Sequence, residues 1–235
     1  MATVIAYVDG FNLYHGLRDK YRRRYLWLDL EHLVRRLRPN DQIVAVRYFT
    51  ALVRDEPAAL ARQRTYLDAL SIHGSGTVEV VLGRYQSKTV ACRQCGNVWT
   101  SYEEKETDVN IAVAVVADAA ATASDIALII SADSDLCPAI RTARSLNPGR
   151  GMIAAFPPRR SSFEIRSLIR GAFTIAAVDL RNSLLPDTVR DPTTGRVYKR
   201  PGKWPSAASS AQAFQRACHA LKGDAVGARF ASAGG

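Results

Sequence analysis

TVIAYVDGFN, residues Thr3 to Asn12, is an apolar run that stops on an acid and turns at a glycine. So short a run, β-branched and without polar alternation, reads as a parallel strand buried on both faces. Asp9 then stands at the carboxyl end of that strand, where open α/β sheets collect ligands at a topological switch point. DIALIISADSD, from Asp125 to Asp135, repeats the pattern and brings Asp133 to the end of a second strand. EKETDVNIAVAV, from Glu104 to Val115, reads as the opening of a helix with Asp108 in its first turn. Three carboxylates distant in sequence are thus expected at one sheet edge, and such a cluster wants a divalent cation.

Outward from these segments, further strands are expected at Ile43 to Leu52, Val78 to Leu82, Met152 to Phe156 and Phe173 to Val178. Helical patterns fall at Asp29 to Leu37, Pro57 to Ile72, Thr107 to Ala121, Leu136 to Leu146 and Ser162 to Ile169. The alternation implies an α/β fold of three layers, with a mainly parallel central sheet covered by helices on both faces. Residues 1–180 are expected to form this domain. Residues 181–235, rich in Pro, Gly, Ser and Thr, are read as a basic, flexible extension in which nine Lys and Arg stand against three Asp. Tyr198 and Trp204, among Lys199, Arg200 and Lys203, are candidates to stack on bases.

The chain has 235 residues, 47% of them hydrophobic, enough for one substantial core. A formal charge of +10 favours a polyanionic partner, through counterion release and direct phosphate contact. Neither a signal-peptide layout nor an apolar run of roughly 18 residues is present, so a cytoplasmic location with no membrane partner is expected. Four cysteines in a chain of this length do not make a disulfide scaffold.

Taken singly, each polar residue has an ordinary use. Asp133, Ser134 or Asp135 can cap the helix near Leu136, Asn12 can cap a helix after the first strand, and Asp108 suits a helix dipole. Taken jointly, caps have no reason to converge on one edge. A phosphatase of the haloacid dehalogenase type would also place an acid after its first strand, but it needs a second Asp two positions on, where this chain has Phe11.

Three segments, VIAYVDGFNLYHGL, EKETDVNIAVAVVADA and DIALIISADSDLCPAIRTAR, resemble in order the motifs of the NYN domains, nuclease-like members of the PIN-like superfamily that include the LabA group. Ala132 stands where that family usually has Gly. The resemblance implies a PIN-like, Rossmann-type fold and a metal-dependent ribonuclease, with Mg²⁺ or Mn²⁺ on Asp9, Asp108, Asp133 and Asp135. Asn12, Ser131, Ser134 and Lys105 are the expected supports, Lys105 by contacting substrate phosphate or by pairing with Glu103, Glu104 or Glu106. RNA, single-stranded or structured, is the expected partner, held by Arg18, Lys20, Arg22, Arg23 and Arg24, with Tyr21 and Tyr25 interleaved, and by Arg159 and Arg160. A non-catalytic RNA-binding module that keeps the fold is the alternative.

CRQCG resembles half of a zinc knuckle, with Cys92 and Cys95 able to bite one ion and the next glycine permitting the turn. Two readings stay open here: a metal-free turn with reduced thiols, or a Zn²⁺ shared between two chains of a homodimer. Cys137 reads as packed, and Cys218 has no knuckle partner.

Overall fold

The computed structural model describes residues 1–205 except Asp55 and Ser75, with Ser101, Glu103 and Glu104 described by backbone alone. In chain order the elements of the body are β1 (Thr3–Asp9), α1 (Gly10–Tyr21), α2 (Leu30–Leu37), β2 (Gln42–Thr50), α3 (Pro57–Ile72) and β3 (Val78–Leu82). They continue through β4 (Arg84–Ala91), β5 (Val98–Lys105), α4 (Thr107–Ala120), β6 (Ile126–Ile130), a 3-10 turn at Ser134–Leu136, α5 (Cys137–Leu146), β7 (Gly151–Phe156), α6 (Phe163–Leu168) and β8 (Gly171–Thr174). The last elements are α7 (Ala177–Asn182), β9 (Thr188–Arg190) and β10 (Val197–Lys199).

Six strands form one sheet in the order β3-β2-β1-β6-β7-β8, with every pairing parallel. The chain winds outward in one direction from β1 and in the other from β6, so the switch point lies between these two strands. Strand alternation splits the core. Val4, Ala6 and Val8 face a layer containing Leu13, Leu30, Leu33 and Leu70, while Ile5 and Tyr7 face Ile111, Val115, Ile140 and Ile165. A buried polar relay stiffens the second face: Arg150 donates to the Tyr7 hydroxyl at 3.0 Å, and that hydroxyl donates to Asp118 at 2.6 Å.

Several expectations are corrected. The DGFN turn is the first turn of the 12-residue helix α1. Gly10 serves close approach there, since a Cβ would lie 2.5 Å from the Phe49 carbonyl oxygen. Asp133 does not close a strand; β6 ends at Ile130, and Asp133 caps the 3-10 turn beyond it. The strand expected through Val178 stops at Thr174 and yields to α7, which buries Leu180 and leaves Val178 exposed. The hairpin β4–β5 was not foreseen.

The extension after Leu180 is not a free arm through its first part. Leu185, Val189 and Tyr198 are buried in the core, and Trp204 packs on Trp27 and Tyr66 with ring centroids 6.3 and 6.0 Å away. Apolar residues spaced through a Pro-rich segment are individually weak signals, and only burial unites them. Tyr25 is likewise buried, edge to face with Tyr21, and stands apart from the exposed arginines among which it was expected. The remainder of the extension, with Cys218, lies outside the described residues.

Candidate metal centre

Asp9 ends β1 and caps α1. Its backbone is still extended while its Oδ1 accepts the Asn12 N–H at 2.9 Å. Its Oδ2 accepts the Ser131 hydroxyl at 2.7 Å, and the Ser131 oxygen in turn accepts the Asp133 N–H at 3.0 Å. Asn12 completes the lacing, its Oδ1 accepting the Ala132 N–H at 3.1 Å. The turns after β1 and β6 are therefore tied through side chains of the residues that would serve an ion.

Asp133 repeats the capping device by accepting the Asp135 N–H at 2.9 Å. Asp108 arrives from the first turn of α4. One carboxylate oxygen from each of Asp9, Asp108 and Asp133 lies within 4.8 Å of the other two, with Asp9 buried, Asp133 half-buried and Asp108 exposed. Asp135 stands outside this group, exposed on the 3-10 turn, and Ser134 opens that turn with its carbonyl accepting the Cys137 N–H. Cys137 is buried, as expected.

Burial pushes the Asp9 carboxyl above the ordinary carboxylate range; the Asn12 N–H and the Ser131 hydroxyl pull it back, and the charge of Asp133 adds to the rise. Three hard oxygen donors this close, one of them desolvated, repel one another unless a cation joins them. The donor set suits Mg²⁺ or Mn²⁺ rather than a soft metal.

Just before α4 stands Glu106, which the sequence offers only as a partner for Lys105. Glu106 takes φ +77, a left-handed conformation rare for a residue with a side chain, and is held there by an ion pair with Arg84 across the hairpin base. Lys105 ends β5 directly opposite Arg84. Its expected pairing with Glu103 or Glu104 lies outside the described side chains, and the described carboxylate, Glu106, goes to Arg84.

The two basic clusters meet. A Cβ on Gly16 would lie 2.7 Å from the Pro158 carbonyl oxygen, so α1 packs tightly on the loop that carries Arg159 and Arg160. Arg160 reaches across to Asp19 at 2.6 Å, and Arg18 lies over the Tyr14 ring. Lys20, Arg22, Arg23, Arg24 and Arg159 are exposed along the same end of α1 and this loop. No sequence signal foretold that Gly16 would bring them together.

Beside the acids, a cavity of about 460 Å³ is lined by Phe11, Tyr48, Thr50, Tyr66 and Trp204, with Arg18, Arg23, Arg62 and Lys203 among its cationic residues. Burial raises the Tyr48 hydroxyl to about 12, with the nearby Asp9 charge adding to the rise. Of these residues, Tyr48, Thr50, Tyr66 and Arg62 went unnoticed as sequence, because they come from strand and helix interiors.

The family model for the NYN domain, a PIN-like nuclease-type domain, matches residues 3–168. The chain is similar to 6-hydroxy-3-succinoylpyridine 3-monooxygenase HspA of Pseudomonas putida, 29% identical over 174 aligned residues that cover 59% of this chain and 54% of the relative. The match therefore spans about half the length of that relative. The fold resembles the crystal structure of a protein of unknown function from Vibrio parahaemolyticus, with a TM-score of 0.53 at 19% identity, covering 78% of this chain and 96% of the other.

Proposed function

The chain belongs to the NYN domain family, and we propose that within it the chain is a metal-dependent ribonuclease, cutting RNA internally by hydrolysis of phosphodiester bonds. The observation that carries this reading is the convergence of Asp9, Asp108 and Asp133 within 4.8 Å at the switch point of the sheet. These three carboxylates hold Mg²⁺ or Mn²⁺, with Asp135 at the rim to hold outer water. Bound there, a divalent cation supplies a more acidic water and neutralises charge developing on a scissile phosphate. The Asn12 N–H and the Ser131 hydroxyl fix the Asp9 carboxylate, and the Asp135 N–H fixes that of Asp133, so that little side-chain rearrangement is needed when substrate arrives. Arg18, Lys20, Arg22, Arg23, Arg24, Arg159 and Arg160 hold the RNA backbone, and Lys105 supports it near Asp108. The aromatic walls of the neighbouring cavity offer stacking faces to an unpaired base.

The test is a paired assay of wild type and Asp133→Asn on a mixed RNA pool with Mn²⁺, Mg²⁺ or EDTA. Loss of one ligand should slow cleavage at least ~10²-fold while much of the RNA binding remains, because phosphate contacts come from Lys and Arg. Identical traces from both proteins would move a non-catalytic RNA-binding role ahead. A second reading comes from the pyridine-hydroxylating relative and the aromatic-lined cavity: oxygen consumption with a hydroxylated pyridine and a reductant, unaffected by RNA, would favour it.

A further inference from the structure

The hairpin of β4 and β5 forms a two-stranded sheet that, among the described residues, pairs with no other strand. A lone two-stranded ribbon is at best marginally stable in water. This one also leaves Val98, Trp99 and Tyr102 exposed by 59%, 47% and 40%. Neither feature helps the aspartate centre, which needs the hairpin only at its base, where Arg84 meets Glu106.

The tip is a built turn. The Cys92 N–H donates to the Asn97 oxygen at 2.7 Å, the Gly96 N–H donates to the Cys92 oxygen at 2.9 Å, and Gly96 takes φ +67, which a residue with a side chain seldom adopts. Within it, the backbone N–H groups of Gln94 and Cys95 point to the Cys92 sulfur, and the Cys95 thiol is in hydrogen-bonding contact with that sulfur, which together draw the Cys92 thiol below its ordinary range. Both thiols are free. N–H groups gathered on sulfur favour the thiolate, the form that binds metal.

Two thiolates are half of a tetrahedral set. Among the described residues, the group of three or more ligating side chains is the aspartate trio, so no described residue completes this pair. We propose that Cys92 and Cys95 of two copies of this chain share one Zn²⁺, closing a four-thiolate site that joins the two hairpin tips. Zinc in structural sites takes such a set, and a two-fold axis through the ion makes the contact self-complementary. The exposed Val98 and Trp99 then lie beside the joint, where burial gives each ribbon the packing partner it lacks. The aspartate centres sit at the far ends of the hairpins and stay open to substrate.

The test uses the full chain, purified from zinc-supplemented culture without chelator. About one zinc per two chains and a dimeric mass by light scattering are expected. A strong chelator should remove the zinc and yield monomer, and Co²⁺ in its place should show the visible absorption of a tetrahedral thiolate site. The double variant Cys92→Ser, Cys95→Ser should be a zinc-free monomer that still binds Mn²⁺ at the aspartates. If that variant does not fold, the chelator and Co²⁺ measurements on wild type decide. A chain that takes up no zinc, or a dimer that survives complete zinc removal, overturns the proposal. So does one zinc per chain in a monomer, which would point to closure within a single chain.

Discussion

Ser131 donates its hydroxyl to the Asp9 carboxylate at 2.7 Å across a separation of 122 positions in the chain, and accepts the Asp133 N–H with the same oxygen. One buried hydroxyl therefore ties the carboxylate of Asp9 to the backbone that carries Asp133. Its removal leaves a buried carboxylate short of a donor and a backbone N–H short of an acceptor, and both costs fall on the geometry that an ion would use.

Ser131→Ala should lower stability by about 1–3 kcal/mol in urea denaturation, the range for leaving a buried polar group without its partner. Mn²⁺ affinity by calorimetry should fall about 10- to 100-fold, as for other lost supports of metal ligands. Unchanged affinity would mean that Asn12 alone orients Asp9.

Gly10→Ala places a methyl group where the Phe49 carbonyl oxygen is 2.5 Å away, and neither backbone can yield without moving the start of α1. Overpacking of this kind costs about 1–3 kcal/mol. Because Asp9 immediately precedes Gly10, divalent-ion binding should weaken together with the melting temperature; a variant that melts lower yet binds Mn²⁺ normally would detach the two effects.

Truncation after Leu180 should unfold the domain or nearly so. It strips Leu185, Val189 and Tyr198 from the core, and at about 1.5–3 kcal/mol for each buried side chain the loss approaches the whole stability of an ordinary domain. A chain ending at Pro205 should melt like wild type. Equal melting of both truncations would show that the segment from 181 to 205 is dispensable packing.

Asp125 supplies the pH-dependent case. Its carboxylate accepts the Thr3 N–H at 2.7 Å and the Thr3 hydroxyl at 2.8 Å, and these bonds hold its pKa below the ordinary carboxylate range. A carboxyl depressed in the folded state contributes stability above its unfolded pKa and loses it as pH falls through the folded one. The melting temperature of Asp125→Asn should therefore trail wild type at neutral pH, and the gap should close in acid. A gap that stays constant down to strong acid would assign the effect to shape alone.

The six-stranded parallel architecture was legible because TVIAYVD, DIALIISAD and GMIAAF are unbroken apolar runs, a pattern demanded of strands covered on both faces. The acidic trio was legible because strand ends in such sheets converge on the switch point, and three acids fell at or near those ends. What the linear order could not carry was everything set by close approach and by packing between distant segments. Gly16 reads as an ordinary helical glycine until the Pro157–Pro158 loop presses on it and merges two basic clusters. Glu106 carries no preference for the left-handed backbone it adopts where the hairpin base, with Arg84, meets α4. Leu185, Val189, Tyr198 and Trp204 sit in a segment whose composition resembles a linker, and only their joint burial against α3 and Trp27 makes it part of the core. Periodicity records which face of an element is dry, and so it determined the layers. It does not record which other element supplies the cover, a choice that tertiary contact alone makes.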